Sequence, residues 1–218
     1  MESKGFYDIA LHMEVLEGEE NMRRDYENLM KVEGGQSPAL RLYRWSRPTL
    51  SIGYSQELLS FPLPTVRRPT GGGALLHGSD ISFSYVGLRS HWGGSFSKIY
   101  RNFMGVLLDV LKGLLPKLDM SSFRGGYSSY FCYFYPTFGE LTIEGKKVVA
   151  CAMRLMKNAF LIHGSLFLSL DYQLLEKLTG VGERKLKDRI VSLEELNIEE
   201  GEVLRVLYKV KEELCPYS

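Results

Sequence analysis

A glycine-rich segment flanked by cations is the part of this sequence that most directly suggests chemistry. It runs from two arginines to a histidine: Arg67, Arg68, Thr70, Gly71, Gly72, Gly73, Ala74, Leu75, Leu76 and His77. Glycine lets backbone N–H groups approach a ligand because no Cβ intervenes, and arginine offers an anion a forked donor. The segment predicts either a tight loop between strands or a pocket for a phosphate-bearing or thioester-bearing acyl substrate. The spacing of a Walker phosphate loop and that of a Rossmann fingerprint are both absent.

A cysteine and a lysine further along the chain are candidates for covalent chemistry. Cys132 lies among aromatic residues, where it is either a small buried hydrophobe or a nucleophile whose pKa a nearby cation lowers. Lys147 opens a predicted strand, either as a solvated edge residue or as a buried group that needs a partner or a ligand. Strand alternation would place Lys147 on one face with Val149, Cys151 and Met153.

The histidines and the remaining cysteines give weaker signals. His163 and Gly164 interrupt an apolar run, which suggests either a close backbone approach or a hydrogen-bonded core histidine. We expect no metal site, because the cysteines and histidines lack zinc-ligand spacing. These residues are Cys132, Cys151, Cys215, His12, His77, His91 and His163. An odd cysteine count is typical of a reducing compartment.

The composition excludes several classes of partner. The chain has 218 residues, is 44% hydrophobic and 24% charged, and carries a net charge of +1 from 27 Lys+Arg and 26 Asp+Glu. Such a balance argues against a protein dominated by nucleic-acid binding. No apolar run reaches the ~20 residues that a membrane span needs, and the first residues lack a signal-peptide core. We therefore expect a cytoplasmic protein without a nucleic-acid or membrane partner.

The apolar pattern predicts the elements that must position these residues. Helices are predicted over residues 17–31, with Met22, Tyr26 and Met30 on one face, and over residues 95–112. Strands are predicted over residues 5–15, 39–45, 49–53, 80–86, 138–143, 147–153 and 160–168, with a hairpin turn at Glu144-Gly145. Helical segments over residues 171–178, 192–196 and 199–213 follow. This order predicts an α+β fold.

Several motifs, taken in order, resemble the lipoate–biotin protein ligase superfamily and specifically its lipoate/octanoate branch. They lie between about residues 5 and 175: Asn21-Met22 with Asp25, and the segments 41–45, 48–56, 67–77, 144–154 and 163–166. The resemblance implies a mixed sheet flanked by helices, as in biotin and lipoate protein ligases. It also implies that residues 1–170 form a lipoate/octanoate transferase catalytic domain, and that residues 171–218 form a helical extension packed on or beside it.

Two chemistries compete within this branch. Cysteine-dependent octanoyltransferases take an acyl group from acyl carrier protein, whereas lipoate–protein ligases activate a free acid with ATP and Mg²⁺. Cys132 precedes Lys147 by 15 positions, which resembles the transferases. The segment after His77 also lacks the Asp-Leu-Gly-Asn run typical of many ligases. Against this, Gly73 is ligase-like, and Ala150-Cys151 stands where the family often has Gly-Ser.

The transferase interpretation assigns roles to particular residues. Cys132 would be the nucleophile, and the Lys147 ammonium would favour its thiolate. No cofactor would be required. The substrate-binding residues would be Arg67, Arg68, Gly71, Gly72, Gly73, Ala74, Leu75, Leu76, His77, Val149, Ala150, His163 and Gly164. Leu75, Val149 and Leu166 would line a slot for the octanoyl or lipoyl chain, and backbone N–H groups near Gly71 to Gly73 or Lys147 would hold the oxyanion.

The partners follow from the same resemblance. The donor would be acyl carrier protein, and the acceptor would be a lipoyl-carrier protein such as a glycine cleavage H-like protein or a lipoyl domain. Arg67 and Arg68 would steer these acidic proteins. In the ligase alternative, Lys147 would hold an acyl-adenylate, and Arg68 with the backbone of residues 73–76 would cradle the nucleotide. A third alternative is a non-catalytic member that only binds acyl groups or carrier domains.

Overall fold

The structure is a computed structural model that describes residues 13–123, 129–134 and 136–214. The strands within these residues are β1 (Glu14–Leu16), β2 (Ala39–Trp45), β3 (Thr49–Ile52), β4 (Thr65–Arg67), β5 (Leu75–His77), β6 (Asp80–Leu88), β7 (Leu118–Met120), β8 (Leu141–Ile143), β9 (Lys146–Leu155) and β10 (Ala159–Phe167). A seven-stranded sheet has the order β1-β2-β6-β10-β9-β8-β7, and a small second sheet has the order β4-β3-β5. Parallel pairs join β1 to β2 and β3 to β4, and the other pairs are antiparallel.

Helices cover both faces of the large sheet. They are α1 (Gly18–Glu33), α2 (Phe96–Lys112), α3 (Tyr172–Thr179), α4 (Glu183–Lys187) and α5 (Glu200–Leu214). α1 packs on the face that carries Val86 and Leu161, whereas α2 and α5 pack on the face that carries Tyr85 and Phe160. Because successive strand residues point to opposite faces, the two helical layers lie on opposite sides of the sheet. The expected α+β class, a mixed sheet flanked by helices, is confirmed.

The first helix was predicted with nearly correct bounds but with the wrong buried face. Tyr26 and Met30 are 41% and 42% exposed, whereas Leu29, Asn21 and Asp25 are fully buried. The hydrophobic pattern fails here because α1 buries two polar side chains against β2 and β6. Asn21 donates to the backbone of Arg44, so this face is stabilised by hydrogen bonds as well as by apolar contact.

The predicted hairpin at Glu144-Gly145 is confirmed, but Val149 does not line the cavity with Lys147, Cys151 and Met153. Both turn residues have positive φ, 51° and 80°, as a type I′ turn requires. The pairing of β8 with β9 then shifts by one residue, since Leu141 pairs with Val149 and Thr142 pairs with Lys147. This bulge interrupts the alternation, so Val149 lies in the main core while Lys147 contacts the segment around Cys132.

The helices at the end of the described chain share the cores of the sheet. Leu175 and Leu186 belong to the hydrophobic cluster around the small sheet, and Leu204 and Leu207 belong to the cluster under α2. The segments predicted over residues 171–178 and 199–213 correspond to α3 and α5, whereas the segment over 192–196 contains only a short 3₁₀ turn, Glu194–Leu196. α4, β4, β5 and β7 were not predicted, because three to five residues are too few to show a period.

Some expectations fall outside the described residues. His12, Cys215 and most of the predicted strand over residues 5–15 lie there, and β1 begins at Glu14. In the part of the chain that is described, no helix is both long enough and apolar enough to cross a membrane.

Candidate active site

A cavity of about 390 Å³ lies between the glycine-rich segment, β9, β10 and the start of α2. This volume falls within the range of about 300–1,000 Å³ that is typical of small-molecule sites. Two of its walls contain the side chains that the sequence analysis singled out as reactive. The glycine-loop wall consists of residues 68–73, and the thiol wall consists of Cys132, Glu140 and Lys147.

Lys147 is a fully buried cation in the thiol wall. Its Nζ lies 2.9 Å from Glu140 Oε2 and donates to the backbone oxygen of Cys132 at 2.5 Å. Burial acts to lower the pKa of Lys147, whereas Glu140 and then the thiols of Cys132 and Cys151 act to raise it, and the net shift is upward. The side chain is fully buried and paired with Glu140, so the alternative of a solvated edge lysine is wrong.

Cys132 lines the same cavity, and the pKa of its thiol lies above the ordinary value. Burial raises the pKa of Cys132; the charge of Lys147 acts in the opposite direction without overcoming it, and that of Glu140 adds to the rise. The charge of Lys147 thus favours the thiolate as expected, but the net shift is upward rather than the expected lowering. Lys147 and the residue that carries the thiol lie side by side, as the resemblance implied, since Nζ donates to the Cys132 backbone carbonyl.

One of the two expected sources of oxyanion donors is already occupied. The backbone N–H of Lys147 donates to the carbonyl of Arg189 at 2.8 Å, and the backbone N–H of Cys132 donates to the carbonyl of Ala74 at 3.0 Å. Neither group can serve an oxyanion without breaking a hydrogen bond. The Lys147 ammonium lines the same cavity and interacts electrostatically with the thiol.

Arg68 is the second buried cation that lines the cavity. Its guanidinium makes five hydrogen bonds, to the carbonyls of Gly71, Gly73 and Ser51 and to the Ser51 hydroxyl, over 2.7–3.2 Å. These bonds occupy the five N–H donors of an arginine. Burial lowers the pKa of Arg68 to about 10. Arg68 therefore stabilises the loop, and the expectation that it steers acidic partners at the surface is wrong.

Arg67 is exposed and lies outside the cavity. It donates to three backbone carbonyls, those of Gly53, Tyr54 and Gln56. The arginine thus attaches the loop after β3 to the end of β4.

Gly73 brings the two walls into contact. A Cβ at this position would lie 2.9 Å from the Cys132 backbone nitrogen and 3.1 Å from the Tyr130 oxygen. The backbones meet in hydrogen bonds between Ala74 and residues 130 and 132. Only a residue without a Cβ allows this approach, so the glycine-rich segment positions the segment that carries the thiol.

Two buried histidines support the glycine-loop wall. His77 bonds to Ser51 Oγ through Nε2 at 2.8 Å and to Asp80 Oδ2 through Nδ1 at 2.9 Å, and its ring stacks on Trp45 at 4.0 Å. The interaction with His77 and hydrogen bonds from Ser165 and Gly78 lower the pKa of Asp80 despite its burial. An ionised carboxylate only accepts, so Nδ1 of His77 carries the proton.

His163 has the same arrangement on β10. It bonds to Thr70 Oγ1 through Nε2 at 2.6 Å and to Asp25 Oδ2 through Nδ1 at 3.0 Å. Burial lowers the pKa of His163, and hydrogen bonds and charges from His163 and Arg41 lower that of Asp25 despite burial. The imidazole therefore links α1 to the glycine-loop wall, which agrees with the prediction of a hydrogen-bonded core histidine.

Gly164 allows β9 and β10 to approach closely. A Cβ there would lie 2.6 Å from Cys151 Sγ and 2.6 Å from the Ala150 oxygen, so the predicted close backbone approach is confirmed. Cys151 also lines the cavity, where burial raises its pKa well above the usual value. The cavity therefore contains two thiols, Cys132 and Cys151.

The structure gathers most of the predicted site residues but not all of them. The cavity is lined by Arg68, Gly71, Gly72, Gly73, Leu75, His77, Cys132, Lys147, Ala150, His163 and Gly164. Arg67, Ala74, Leu76 and Val149 are not among the lining residues. Of the expected acyl slot, only Leu75 lines the cavity, since Val149 and Leu166 face the main core.

Sequence reasoning missed the aromatic side of the cavity and its carboxylate. Phe96, Tyr100, Phe131 and Phe138 form the aromatic side. Glu140 joins the thiol wall from the start of β8. A signal for Glu140 did exist, because a carboxylate between Gly139 and an apolar strand is unusual unless it has a partner. No group of His, Cys, Asp and Glu side chains in the described ranges could hold a metal ion.

Comparison with known proteins agrees with this geometry. A family profile described as "Lipoyl protein ligase A/B catalytic domain" matches residues 17–214. The chain is 32% identical over 191 residues to octanoyltransferase LipM of Carboxydothermus hydrogenoformans, and the matched region covers 79% of this chain and 69% of that protein. It is 34% identical over 175 residues to octanoyltransferase LipM of Kyrpidia tusciae, and the matched region covers 72% of this chain and 64% of that protein. The chain thus spans about two thirds of the length of these relatives.

A solved structure supports the fold. The crystal structure of a lipoate-protein ligase A bound with ATP superimposes with a TM-score of 0.70 over 93% of this chain and 85% of that chain, at 20% identity. At this identity the likeness concerns the arrangement of strands and helices alone.

Proposed function

The chain belongs to the lipoyl protein ligase A/B catalytic-domain family, and we propose that it is an octanoyltransferase. In this proposal it moves an octanoyl group from acyl carrier protein to a lysine of a lipoyl-carrier protein through a thioester on Cys132. The observation that carries the proposal is the thiol wall, in which a cysteine and a buried ammonium face one apolar cavity. Relatives of this chain at 32% and 34% identity are named octanoyltransferases.

The cavity suits a medium-length acyl chain. Its wall combines Leu75, Phe131, Ala150 and Met153 with the aromatic side chains near the start of α2. Burial of methylene groups against such a wall contributes about 0.8 kcal/mol for each CH₂. The acyl tail would therefore lie along the apolar wall, with its thioester carbonyl at the thiol wall.

The chemistry proceeds in two acyl transfers. The sulfur of Cys132 attacks the thioester carbonyl, the carbonyl oxygen takes the negative charge, and the carrier thiol leaves. The amine of the acceptor lysine then attacks the Cys132 thioester, an amide forms, and the cysteine is released. Lys147 is placed to stabilise the negative oxygen in both steps, because a charged donor in a desolvated site interacts strongly with developing charge.

The donor set of the glycine-loop wall supports a reaction without nucleotide. The five N–H groups of Arg68 are directed at protein oxygens, so none is available to a phosphate. A triphosphate could be held by Arg68 only if the arginine left Ser51, Gly71 and Gly73. A thioester donor makes no such demand, because it brings an already activated acyl group.

Mass spectrometry of the intact protein tests this proposal. After incubation with octanoyl-acyl carrier protein, the wild-type chain should gain the mass of one octanoyl group, and hydroxylamine should remove it. Cys132→Ser should gain no such adduct. Cys151→Ser removes the other thiol of the cavity and should still gain it, which locates the thioester.

The same preparation distinguishes the ATP-dependent alternative. The protein is mixed with ATP, Mg²⁺ and octanoate or lipoate, and release of pyrophosphate is measured. We expect none. Pyrophosphate release without a thioester adduct would overturn the transferase proposal in favour of a ligase.

A further inference from the structure

Helix α1 carries an apolar face that is directed to solvent instead of to the core. Tyr26 and Met30 stand four positions apart on this helix, and both are exposed. Residues with this spacing are neighbours on a helix surface. Other side chains of the helix, Leu29 and Val32, make its contact with the core. The stability of the core therefore does not explain why Tyr26 and Met30 are apolar.

An arginine and a second tyrosine extend this face into a larger surface. The Cζ atom of Arg154 lies 5.9 Å from the centre of the Tyr26 ring and 5.2 Å from the centre of the Tyr54 ring. These distances are those of cation–π contacts, and Tyr54 is 62% exposed. Together Tyr26, Met30, Tyr54 and Arg154 form the α1 surface. Tyrosine, methionine and arginine are enriched in protein–protein interfaces, and an exposed apolar patch of this kind marks an interaction site.

Hydrogen bonds attach the α1 surface to the glycine-rich segment at the edge of the cavity. Arg154 Nη1 donates to the Pro69 oxygen at 3.0 Å, and the backbone N–H of Tyr54 donates to the Thr70 oxygen at 2.7 Å. The acceptors of both bonds immediately precede Gly71, which lines the cavity. The surface and the glycine-loop wall are therefore held together.

The elements that form the α1 surface also contribute to the cavity. Met22 lines the cavity one helical turn before Tyr26, and Ala152 lines it two residues before Arg154 on β9. A Cβ on Gly72 would lie 3.9 Å from the Cβ of Ala152, so β9 and the glycine-rich segment meet at this point. A protein that binds the α1 surface is therefore held next to the cavity.

The surface also has a positive charge that no carboxylate of the described chain neutralises. Arg154 and the exposed Arg67, which donates to the Tyr54 oxygen at 2.8 Å, bond to backbone carbonyls and form no ion pair within the described ranges. By contrast, Arg41 and Arg47 are paired with an aspartate or a glutamate. Positive charge without such a partner attracts an acidic protein.

We propose that the α1 surface docks the acceptor, the lipoyl-carrier protein, during the second acyl transfer. This inference rests on the proposed octanoyltransferase function and names the place where its acceptor binds. The acceptor amine stands at the end of a lysine side chain, so the body of the carrier must come to the edge of the cavity for the amine to reach the thioester on Cys132. An acidic carrier matches a surface that combines unpaired arginine charge with exposed tyrosines.

Tyr26→Ala tests the inference in the second half-reaction alone. The octanoyl-enzyme is formed first and is then mixed with increasing concentrations of an unmodified acceptor, the lipoyl domain or H-like protein that wild type octanoylates. We expect the half-saturating concentration of the acceptor to rise by about 5–30-fold, the usual effect of truncating an important interface tyrosine. The rate at saturation should stay within about twofold of wild type, because docking and not chemistry is changed.

Val15→Ala is the control for the loss of exposed apolar area. Val15 is an exposed residue of β1, and three strands separate β1 from β9 in the large sheet. This variant should have the half-saturating concentration of wild type. Alanine is the best helix former, so Tyr26→Ala keeps α1 intact.

Arg154→Gln tests the electrostatic part of the docking. Glutamine retains an N–H donor for the Pro69 oxygen but removes the charge. The half-saturating concentration of the acceptor should rise by about 3–10-fold at low ionic strength, and it should depend less on salt than in wild type. Arg47→Gln is the control, since Arg47 is exposed and already paired with Glu17; it should leave both quantities unchanged.

The first half-reaction decides which carrier uses the surface. Acylation of Cys132 by octanoyl-acyl carrier protein should be the same in wild type, Tyr26→Ala and Arg154→Gln. If these variants needed more donor, the surface would not be specific for the acceptor, and the inference would be overturned. Unchanged kinetics in both half-reactions would overturn it as well. Both results would leave the octanoyltransferase proposal standing.

Direct binding separates this inference from the proposed function. Calorimetric titration of the unacylated protein with the unmodified acceptor measures docking without chemistry, and Tyr26→Ala should weaken this binding by the same factor. If wild type formed no thioester but bound the acceptor through Tyr26, the transferase proposal would fail and the docking surface would stand. Self-association of the chain that Tyr26→Ala abolishes, measured by analytical ultracentrifugation, would assign the surface to a second copy and overturn the inference.

Discussion

The two walls of the cavity each contain a buried cation, and the two cations differ in the kind of groups that they bind. Arg68, in the glycine-loop wall, has a protein oxygen for each of its donors. Lys147, in the thiol wall, has a carboxylate, one carbonyl and a neighbouring thiol. A cation whose hydrogen bonds are all made to fixed protein oxygens stabilises a conformation. A cation that interacts with titratable groups can also stabilise negative charge that develops on them or on a substrate during a reaction.

The contrast changes how the glycine-rich segment is understood. Its residue types and their spacing suggest a ligand cradle. Its arginine instead binds Ser51 and carbonyls of the segment itself, and its third glycine lets the segment pack against residues 130–132. The reactive groups lie on the opposite wall, in a stretch of sequence with no conspicuous motif. In this site the conspicuous segment is the support, and the thiol wall carries the proposed chemistry.

The largest effect should follow from Lys147→Met. The substitution leaves Glu140 buried without a counter-ion, so the free energy of unfolding should fall by about 3–5 kcal/mol. Acyl transfer should fall by about 10²–10³-fold as well, because the oxyanion loses its charged donor. Denaturant unfolding and single-turnover acylation measure the two effects.

Lys146→Met is the control for that prediction. Lys146 is the neighbouring lysine and is not buried, so its replacement should change stability by less than about 0.5 kcal/mol. If Lys147→Met transferred the acyl group at the wild-type rate, Lys147 would have no role in the reaction that distinguishes it from Arg68.

Arg68→Met should act mainly on stability. Five hydrogen bonds are lost, and the carbonyls of Ser51, Gly71 and Gly73 lose a charged donor. Removal of a buried group with such partners lowers the free energy of unfolding by about 2–4 kcal/mol. The rate of Cys132 acylation per folded molecule, measured below the melting transition, should fall less than in Lys147→Met. The reverse order of rates would place the chemistry in the glycine-loop wall.

Gly73→Ala should separate the walls physically. The added Cβ meets the backbone of residues 130–132 at 2.9–3.1 Å, so either the loop or the thiol segment must move, at a cost of about 1–3 kcal/mol. Gly71→Ala is the matched control, since a Cβ there has no atom within 4 Å. Iodoacetamide alkylation of Cys132 should change in Gly73→Ala and not in Gly71→Ala. Equal behaviour of the two variants would mean that the contact at Gly73 does not position the thiol.

The sequence was sufficient to predict the fold class and the pairing of Cys132 with Lys147. The fold class follows from the period of apolar residues, and the closeness of Cys132 and Lys147 was implied by the resemblance to the cysteine-dependent octanoyltransferases. The direction of the Cys132 pKa shift was not accessible in this way. It depends on how deeply the thiol is buried and on Glu140, and these are set by tertiary packing.

Side-chain direction was the other limit of sequence reasoning. The bulge in β9 moved Val149 to the main core, and a one-residue shift in a strand reverses every side chain beyond it. The donors of Arg68 could not be assigned either, because their acceptors are carbonyls that converge only when the loop folds. In α1, the buried polar residues Asn21 and Asp25 reversed the face that Tyr26 and Met30 predicted.

The smallest expected effect is on how the free energy of unfolding depends on pH, and it concerns the glycine-loop wall. The pKa of His163, which supports the glycine-loop wall through Thr70, is lowered mainly by burial from its ordinary 6.5. The unfolded chain therefore binds more protons than the folded chain below pH 6.5. Stability from this group is complete above pH 6.5 and declines, by up to about 1.4 kcal/mol per pH unit, as pH falls toward the folded pKa.

His163→Gln isolates that decline. Hydrogen bonds and charges lower the pKa of Asp25, against its burial, from 3.8, so its contribution is lost only at still lower pH, through its folded pKa. Urea unfolding from pH 8 to pH 4 should show the first loss in wild type and not in the variant. The thiol wall titrates at the other extreme, since burial raises the pKa of Cys132 from 9.0. Acid should thus weaken the glycine-loop wall while leaving the thiol protonated and the Lys147 ammonium charged. If His163→Gln still lost stability in acid, the group whose protonation destabilises the fold would not be His163.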